Sequence, residues 1–118
     1  GFYYSQNSKG FQLILPTAGI RIQGLPIGYR RVPVGDKTYF YYYGTFYSQV
    51  GGSDNYEVVV APEGAIVDAL PDGYKIEKVD NVEYYLLGDT YYAEVDSTKM
   101  PDKIGYEVVT IIQAYEVF

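Results

Sequence analysis

Any chemistry in this chain has to be done without histidine and without cysteine, for neither occurs. The usual general base and the usual nucleophile are therefore missing, and zinc or copper would find only carboxylates. Ser5, Ser48, Ser53 and Ser97 have no imidazole to activate them, and no lysine spacing supports a Ser–Lys pair. Paired carboxylates are the remaining route: Glu63 with Asp68, or Asp72 with Asp80, could do glycosidase work across a cleft, although nothing in their spacing fixes a useful separation. Asp54, Asp96 and Asp102 fall in loops where carboxylate oxygens could meet calcium, but the alternating Asp/Asn–Gly signature is absent and turn formation accounts for them. Gly51-Gly52 belongs to a hairpin loop, with neither the lysine nor the helix of a phosphate cradle. The expectation is a protein that is not an enzyme, with no catalytic residue, no metal and no cofactor.

Tyrosine is the abundant functional group, with 16 copies against 5 Phe and no Trp. In Tyr39-Phe40-Tyr41-Tyr42-Tyr43 the rings alternate across a strand, so one face can be core and the other must be covered or exposed. Most such rings simply pair across strands, each pair adding roughly 0.2 to 1 kcal/mol. The sharper reading is an aromatic platform for sugar rings, peptide or another protein at Tyr41, Tyr42 and Tyr43.

What must position these residues is a repeat. Residues 11 to 50 align on 56 to 95 at an offset of 45, best preserved in Leu25-Pro26-Ile27-Gly28-Tyr29 against Leu70-Pro71-Asp72-Gly73-Tyr74. At Tyr41 to Tyr43 the second copy has Leu86, Leu87 and Gly88. A difference between copies is not a demand of the shared fold, and that points to Tyr41 to Tyr43 as the candidate ligand-binding residues.

Strands are expected nearly throughout: 11–15, 20–24, 29–34, 37–42, 45–50 and 56–60, then 65–69, 74–79, 82–87, 90–95 and 106–111. Two-residue hairpins are expected at Gly35-Asp36 and Asp80-Asn81, and again at Tyr43-Gly44 and Gly88-Asp89. Pro71-Asp72-Gly73 reads as a type I turn closing on a left-handed glycine. No window carries a helical apolar stripe with caps, so little or no helix is expected beyond a turn near Ser97 to Asp102.

The fold expected is all-β, as two tandem five-stranded SH3-like small barrels or one continuous antiparallel sheet system, with an extra N-terminal hairpin. The boundaries are a partial repeat over 1–17, unit 1 over 18–61, and unit 2 over 62–118 with a C-terminal strand at Ala114 to Phe118. Phe2-Tyr3-Tyr4-Ser5-Gln6 and Phe11 to Leu15 resemble Phe46-Tyr47-Ser48-Gln49 and Tyr56 to Val60, so the first stretch reads as the last two strands of a unit. That hairpin should add to the edge of the first unit or to a neighbouring molecule. Ala61-Pro62-Glu63-Gly64 is too short for a flexible linker, so the units should pack together or share a sheet.

Charge bounds the partners. A net charge of -6 and a pI near 4.4 argue against nucleic acid or an anionic membrane surface, and Arg30-Arg31, the one adjacent basic pair, reads as a solvated strand edge. No apolar run approaches the roughly 20 residues of a transmembrane helix. The start at Gly1 reads as a tag remnant on a fragment whose export signal, with or without a lipoprotein's anchoring Cys, was removed.

The run Ala61-Pro62-Glu63-Gly64 to Leu70-Pro71-Asp72-Gly73-Tyr74, then Tyr84-Tyr85, Thr90-Tyr91-Tyr92 and Gly105-Tyr106-Glu107-Val108-Val109, resembles an uncharacterised family of Tyr-rich secreted bacterial repeat proteins. The chain departs from that pattern at Pro16-Thr17-Ala18-Gly19 and at Leu86-Leu87. The resemblance implies an exported, extracytoplasmic envelope protein and assigns no catalytic residue or ligand. The function expected is a cell-envelope interaction module that engages cell-wall glycan, peptide or an envelope protein. The alternative is a structural protein that forms homo-oligomers through β edge strands, and the third reading is the carboxylate-dependent hydrolase.

Overall fold

The computed structural model describes residues 3–7, 10–96 and 104–111. All regular structure among them is β, in twelve strands. The first two are β1 (Tyr3–Asn7) and β2 (Gly10–Ile14). The first full unit holds β3 (Arg21–Gln23), β4 (Arg30–Val34), β5 (Lys37–Tyr42), β6 (Thr45–Gln49) and β7 (Asn55–Val59). The second holds β8 (Ile66–Val67), β9 (Lys75–Val79), β10 (Val82–Leu87), β11 (Thr90–Asp96) and β12 (Ile104–Val109). The expected turn near Ser97 to Asp102 and the strand at Ala114 to Phe118 lie outside the described residues.

The two five-stranded sheets have corresponding strand orders. One sheet runs β3-β7-β6-β5-β4 and the other β8-β12-β11-β10-β9, the same order of equivalent strands. Even the bonds at the start of each unit repeat: Gly19 N–H donates to Val58 C=O and Val58 N–H to Ile20 C=O, as Gly64 N–H donates to Val108 C=O and Val108 N–H to Ala65 C=O. Neither sheet closes on itself, so the two SH3-like barrels expected from the sequence are not formed. Strand β8 has two residues and β3 three, too short to return to the far edge. The two sheets are also separate, so they do not make one continuous sheet.

Turn chemistry explains where the glycines sit. Tyr43-Gly44 and Asp80-Asn81 have positive φ at both central residues, the signs of a type I′ turn. In Gly35-Asp36 and Gly88-Asp89 only the first residue is positive, as in type II′, which wants glycine there. The two turn types therefore exchange places between the units. In the Leu-Pro-x-Gly-Tyr segment, Tyr29 N–H donates to Pro26 C=O at 3.3 Å with Gly28 at φ 99°, so glycine is the third residue of a type II turn and not the close of a type I turn.

Each sheet has an inner face marked by an aromatic ladder. Tyr29, Phe40 and Tyr56 meet edge to face at 5.7 and 5.4 Å, and the equivalent Tyr74, Tyr85 and Tyr106 meet at 5.2 Å in both contacts. Much of the tyrosine excess is thus cross-strand packing. The outer face of the first sheet, carrying Val32, Tyr41 and Phe46, joins Val67, Leu87 and Tyr92 from the inner face of the second in one core. The units pack together as the short linker requires, and they share that core.

The N-terminal hairpin has the register expected of a unit's last two strands: Tyr3 pairs with Ile14 as Phe46 pairs with Val59 and Tyr91 with Val109. Its expected addition to the edge of the first unit does not occur. It forms a two-stranded sheet of its own, hydrogen-bonded to neither larger sheet.

Candidate functional site

The junction of the two units opens as a cleft of about 210 Å³, lined by Gly28, Arg30, Tyr41 to Tyr43, and Asp68 to Pro71. Strand β5 and its turn supply one wall, and the segment from β8 to the Pro71-Asp72-Gly73 turn supplies the other. All three tyrosines singled out in the sequence border it, in different ways.

Tyr41 is only 4% exposed and is no platform ring. Its hydroxyl donates to the Ala69 carbonyl at 2.8 Å, reaching from the first unit into the second. Burial pushes this phenol well above its ordinary range; the nearby Asp68 charge adds to the shift and the Gly44 amide opposes it. The difference between Tyr41 and Leu86 therefore has a packing cause: Tyr41 meets a following unit, while Leu86 sits on the face that nothing in the described chain follows.

Tyr42 and Tyr43 are half-buried, with ring centres 6.3 Å apart and planes at 41°. Tyr42 packs on the inner core of its own unit with Phe40 and Tyr47. Tyr43 holds φ at 48°, where its counterpart is Gly88 at 62°. A bulky side chain in this left-handed region costs on the order of 1 to 2 kcal/mol. Across the mouth, Arg30 Nε lies 3.4 Å from Asp68 Oδ2, both side chains about two-thirds exposed, so the pair contributes little to stability. In the sequence Arg30 reads as a strand edge and Asp68 as half of an acidic pair. Their meeting across the junction had no local signal.

A larger groove of about 540 Å³ runs beside the two hairpin turns, bordered by Leu15, Thr45, Val60, Leu87 and Thr90 among others. A β-carbon placed on Gly44 would lie 3.0 Å from Leu87 Cδ2, 3.2 Å from Pro71 Cγ and 3.3 Å from Leu15 Cδ2. Leu15 also reaches Gly88, so it wedges between the turns of both units. The Thr45 hydroxyl is buried here without a hydrogen-bond partner.

The acidic candidates are not brought together in either cleft. Among the described residues, Asp68 is the one carboxylate bordering the smaller and Asp89 the one bordering the larger. Glu63 instead accepts a hydrogen bond from Thr110 Oγ1 at 3.0 Å. Ser53 closes its own loop, its Oγ donating to the Val50 carbonyl at 2.6 Å. Among the described residues no group of three or more acidic side chains is placed to hold a metal, and no helix is long and apolar enough to cross a membrane. Asp54 and Asp96 are exposed, and Asp102 lies outside the described residues.

These features define an all-β protein of two five-stranded sheets with an aromatic cleft at their junction. The chain belongs to a family of unknown function (DUF6515), which matches residues 1–112. No curated protein and no solved structure matches it.

Proposed function

We propose that this chain is a non-enzymatic binding module of the cell envelope, exported from the cytoplasm, which takes a glycan or short peptide of the wall into the cleft beside Tyr42 and Tyr43. The observation that carries the reading is Tyr43. An aromatic side chain is held at φ 48° on the rim of a cleft, at a turn where the other unit uses glycine. Backbone strain kept at the mouth of a cleft is a mark of function. Two tilted rings offer a stacking surface, and the Arg30–Asp68 pair beside them offers donors and acceptors for hydroxyl or amide groups. The absence of His and Cys supports a binding role over catalysis. The Tyr-rich repeat pattern supports export and an envelope location.

The test is sedimentation with insoluble peptidoglycan together with calorimetry on soluble muropeptides. Tyr42→Leu and Tyr43→Gly install the residues of the second unit, so the fold tolerates them. The expected result is binding by the native chain, weakened about fivefold or more by each variant with the melting temperature of Tyr43→Gly unchanged or raised. No binding by the native chain, or binding indifferent to both variants, overturns the proposal.

A further inference from the structure

We infer that the exposed half of the inner face of the second sheet is a docking surface for a basic peptide segment of a partner protein, a lysine or arginine of which rests against the tyrosine ladder. Strand alternation puts Ile76, Glu83, Tyr85, Glu94, Ile104 and Tyr106 on this face. The other half of the same face, with Leu87, Tyr92 and Val108, is the core shared with the first unit. The exposed half is apolar and aromatic. Ile76 is 53% exposed, Ile104 48% and Tyr74 40%, and Tyr85 and Tyr106 are half-buried.

Charge sets the class of partner. Glu83 and Glu94 stand exposed beside the ladder, and neither is ion-paired among the described residues. Lys78 lies across from Glu83, Tyr106 across from Glu94, and Asp96 adds a third carboxylate across from Ile104. One lysine against three carboxylates leaves a negative field at the rings. The Tyr85 phenol registers it: burial comes first in raising it above its ordinary range, and Glu94 and Glu83 add to the rise together with Tyr106 and Tyr74. The three rings form a continuous aromatic surface, with centres 5.2 Å apart in both contacts. A cation within about 6 Å of such a ring is attracted to its face, and neighbouring carboxylates strengthen the attraction.

The first unit, built on the same strand order, lacks this combination. Thr38 and Gln49 hold the places of Glu83 and Glu94, and Arg31 holds that of Ile76. Arg31 pairs with Phe40 as Ile76 pairs with Tyr85. The ladder is covered there, with Phe40 9% exposed and Leu25 packed against its cluster. The fold thus requires neither the carboxylates nor the uncovered rings.

A peptide suits this face better than a small cation or an added strand. From β9 to β12 the face spans roughly 14 Å at the usual strand spacing, the reach of about four or five extended residues. Ile76 and Ile104 offer contacts for apolar residues that flank the cation. Strand addition is disfavoured, because β9 carries Lys75, Glu77 and Lys78 at one edge of the sheet and β8, at the other, has two residues.

Calorimetry on the full chain tests this with a blocked five-residue peptide alternating leucine and lysine. The same peptide with norleucine in place of lysine, and lysine amide alone, serve as comparisons. The lysine peptide is expected to bind at least about tenfold more tightly than either. Glu83→Thr combined with Glu94→Gln installs the residues of the first unit and should weaken the lysine peptide about tenfold. Ile76→Arg, which places the first unit's cation beside Tyr85, should weaken it as much. All three positions are exposed, so both variants keep the native circular dichroism. Equal binding of the norleucine peptide, or of lysine amide, overturns the inference. So does a lysine peptide that fails to bind at millimolar concentration, or that binds both variants as it binds the native chain.

Discussion

Single residues at the junction of the units set the sharpest constraints. Gly44 combines φ 89° with three neighbours inside 3.4 Å of any added β-carbon. Gly44→Ala is expected to cost about 2 to 4 kcal/mol, against about 1 kcal/mol for Gly35→Ala, whose surroundings are empty; paired thermal melts measure the difference. Thr45→Val removes a buried hydroxyl that has no partner, and should leave stability unchanged or raise it by up to about 1 kcal/mol in the same assay. Sequence made the turn glycines legible, because positive φ is a local demand that two copies repeat. It could not separate Gly44, crowded by Leu87 and Pro71 of the other unit, from Gly35, which faces open space. Tyr41 shows the same limit: the Ala69 carbonyl that its hydroxyl meets lies 28 residues away, and a difference between the copies carries no signal of a contact between units.

At the level of elements, β5 and β10 occupy the residues expected from alternation and turn chemistry, and the other expected strands shift at their ends. What alternation could not supply was closure. Whether a five-stranded meander bends into a barrel depends on how far its first strand extends, and β3 and β8 stop after three and two residues. The edge of β4 is expected to matter more for solubility than for stability. Pro33 is exposed there and gives up a donor that a neighbouring strand could use. Pro33→Val should leave the melting temperature within a few degrees, a shift worth about 1 kcal/mol or less, while raising turbidity on concentration. Unchanged solubility would show that the short and charged edges suffice without it.

For the whole molecule, the common core makes the two units one thermodynamic body. Unfolding is expected as a single calorimetric transition, with Phe46→Ala lowering it as a whole by about 3 to 5 kcal/mol and not splitting it in two. The same core holds Tyr41 and Tyr92, whose phenols burial lifts above the ordinary 10.0. The fold prefers the neutral phenols, so their contribution is intact below pH 10.0 and is lost as pH rises beyond it. Melts from neutral to strongly alkaline pH should show that loss, with a shallower alkaline limb in Tyr41→Phe. Sequence revealed the duplication and the need for contact, but the repeat spacing carries no word on which faces meet. The Leu15 wedge, finally, carries weight beyond local packing. A repeat array in which every contact is between adjacent units behaves as a one-dimensional chain of nearest-neighbour couplings. Because Leu15 touches the turns of the next unit and of the one after, this array has second-neighbour coupling. Removing or loosening one unit then weakens a joint it does not itself form, which sharpens the all-or-none character of the array.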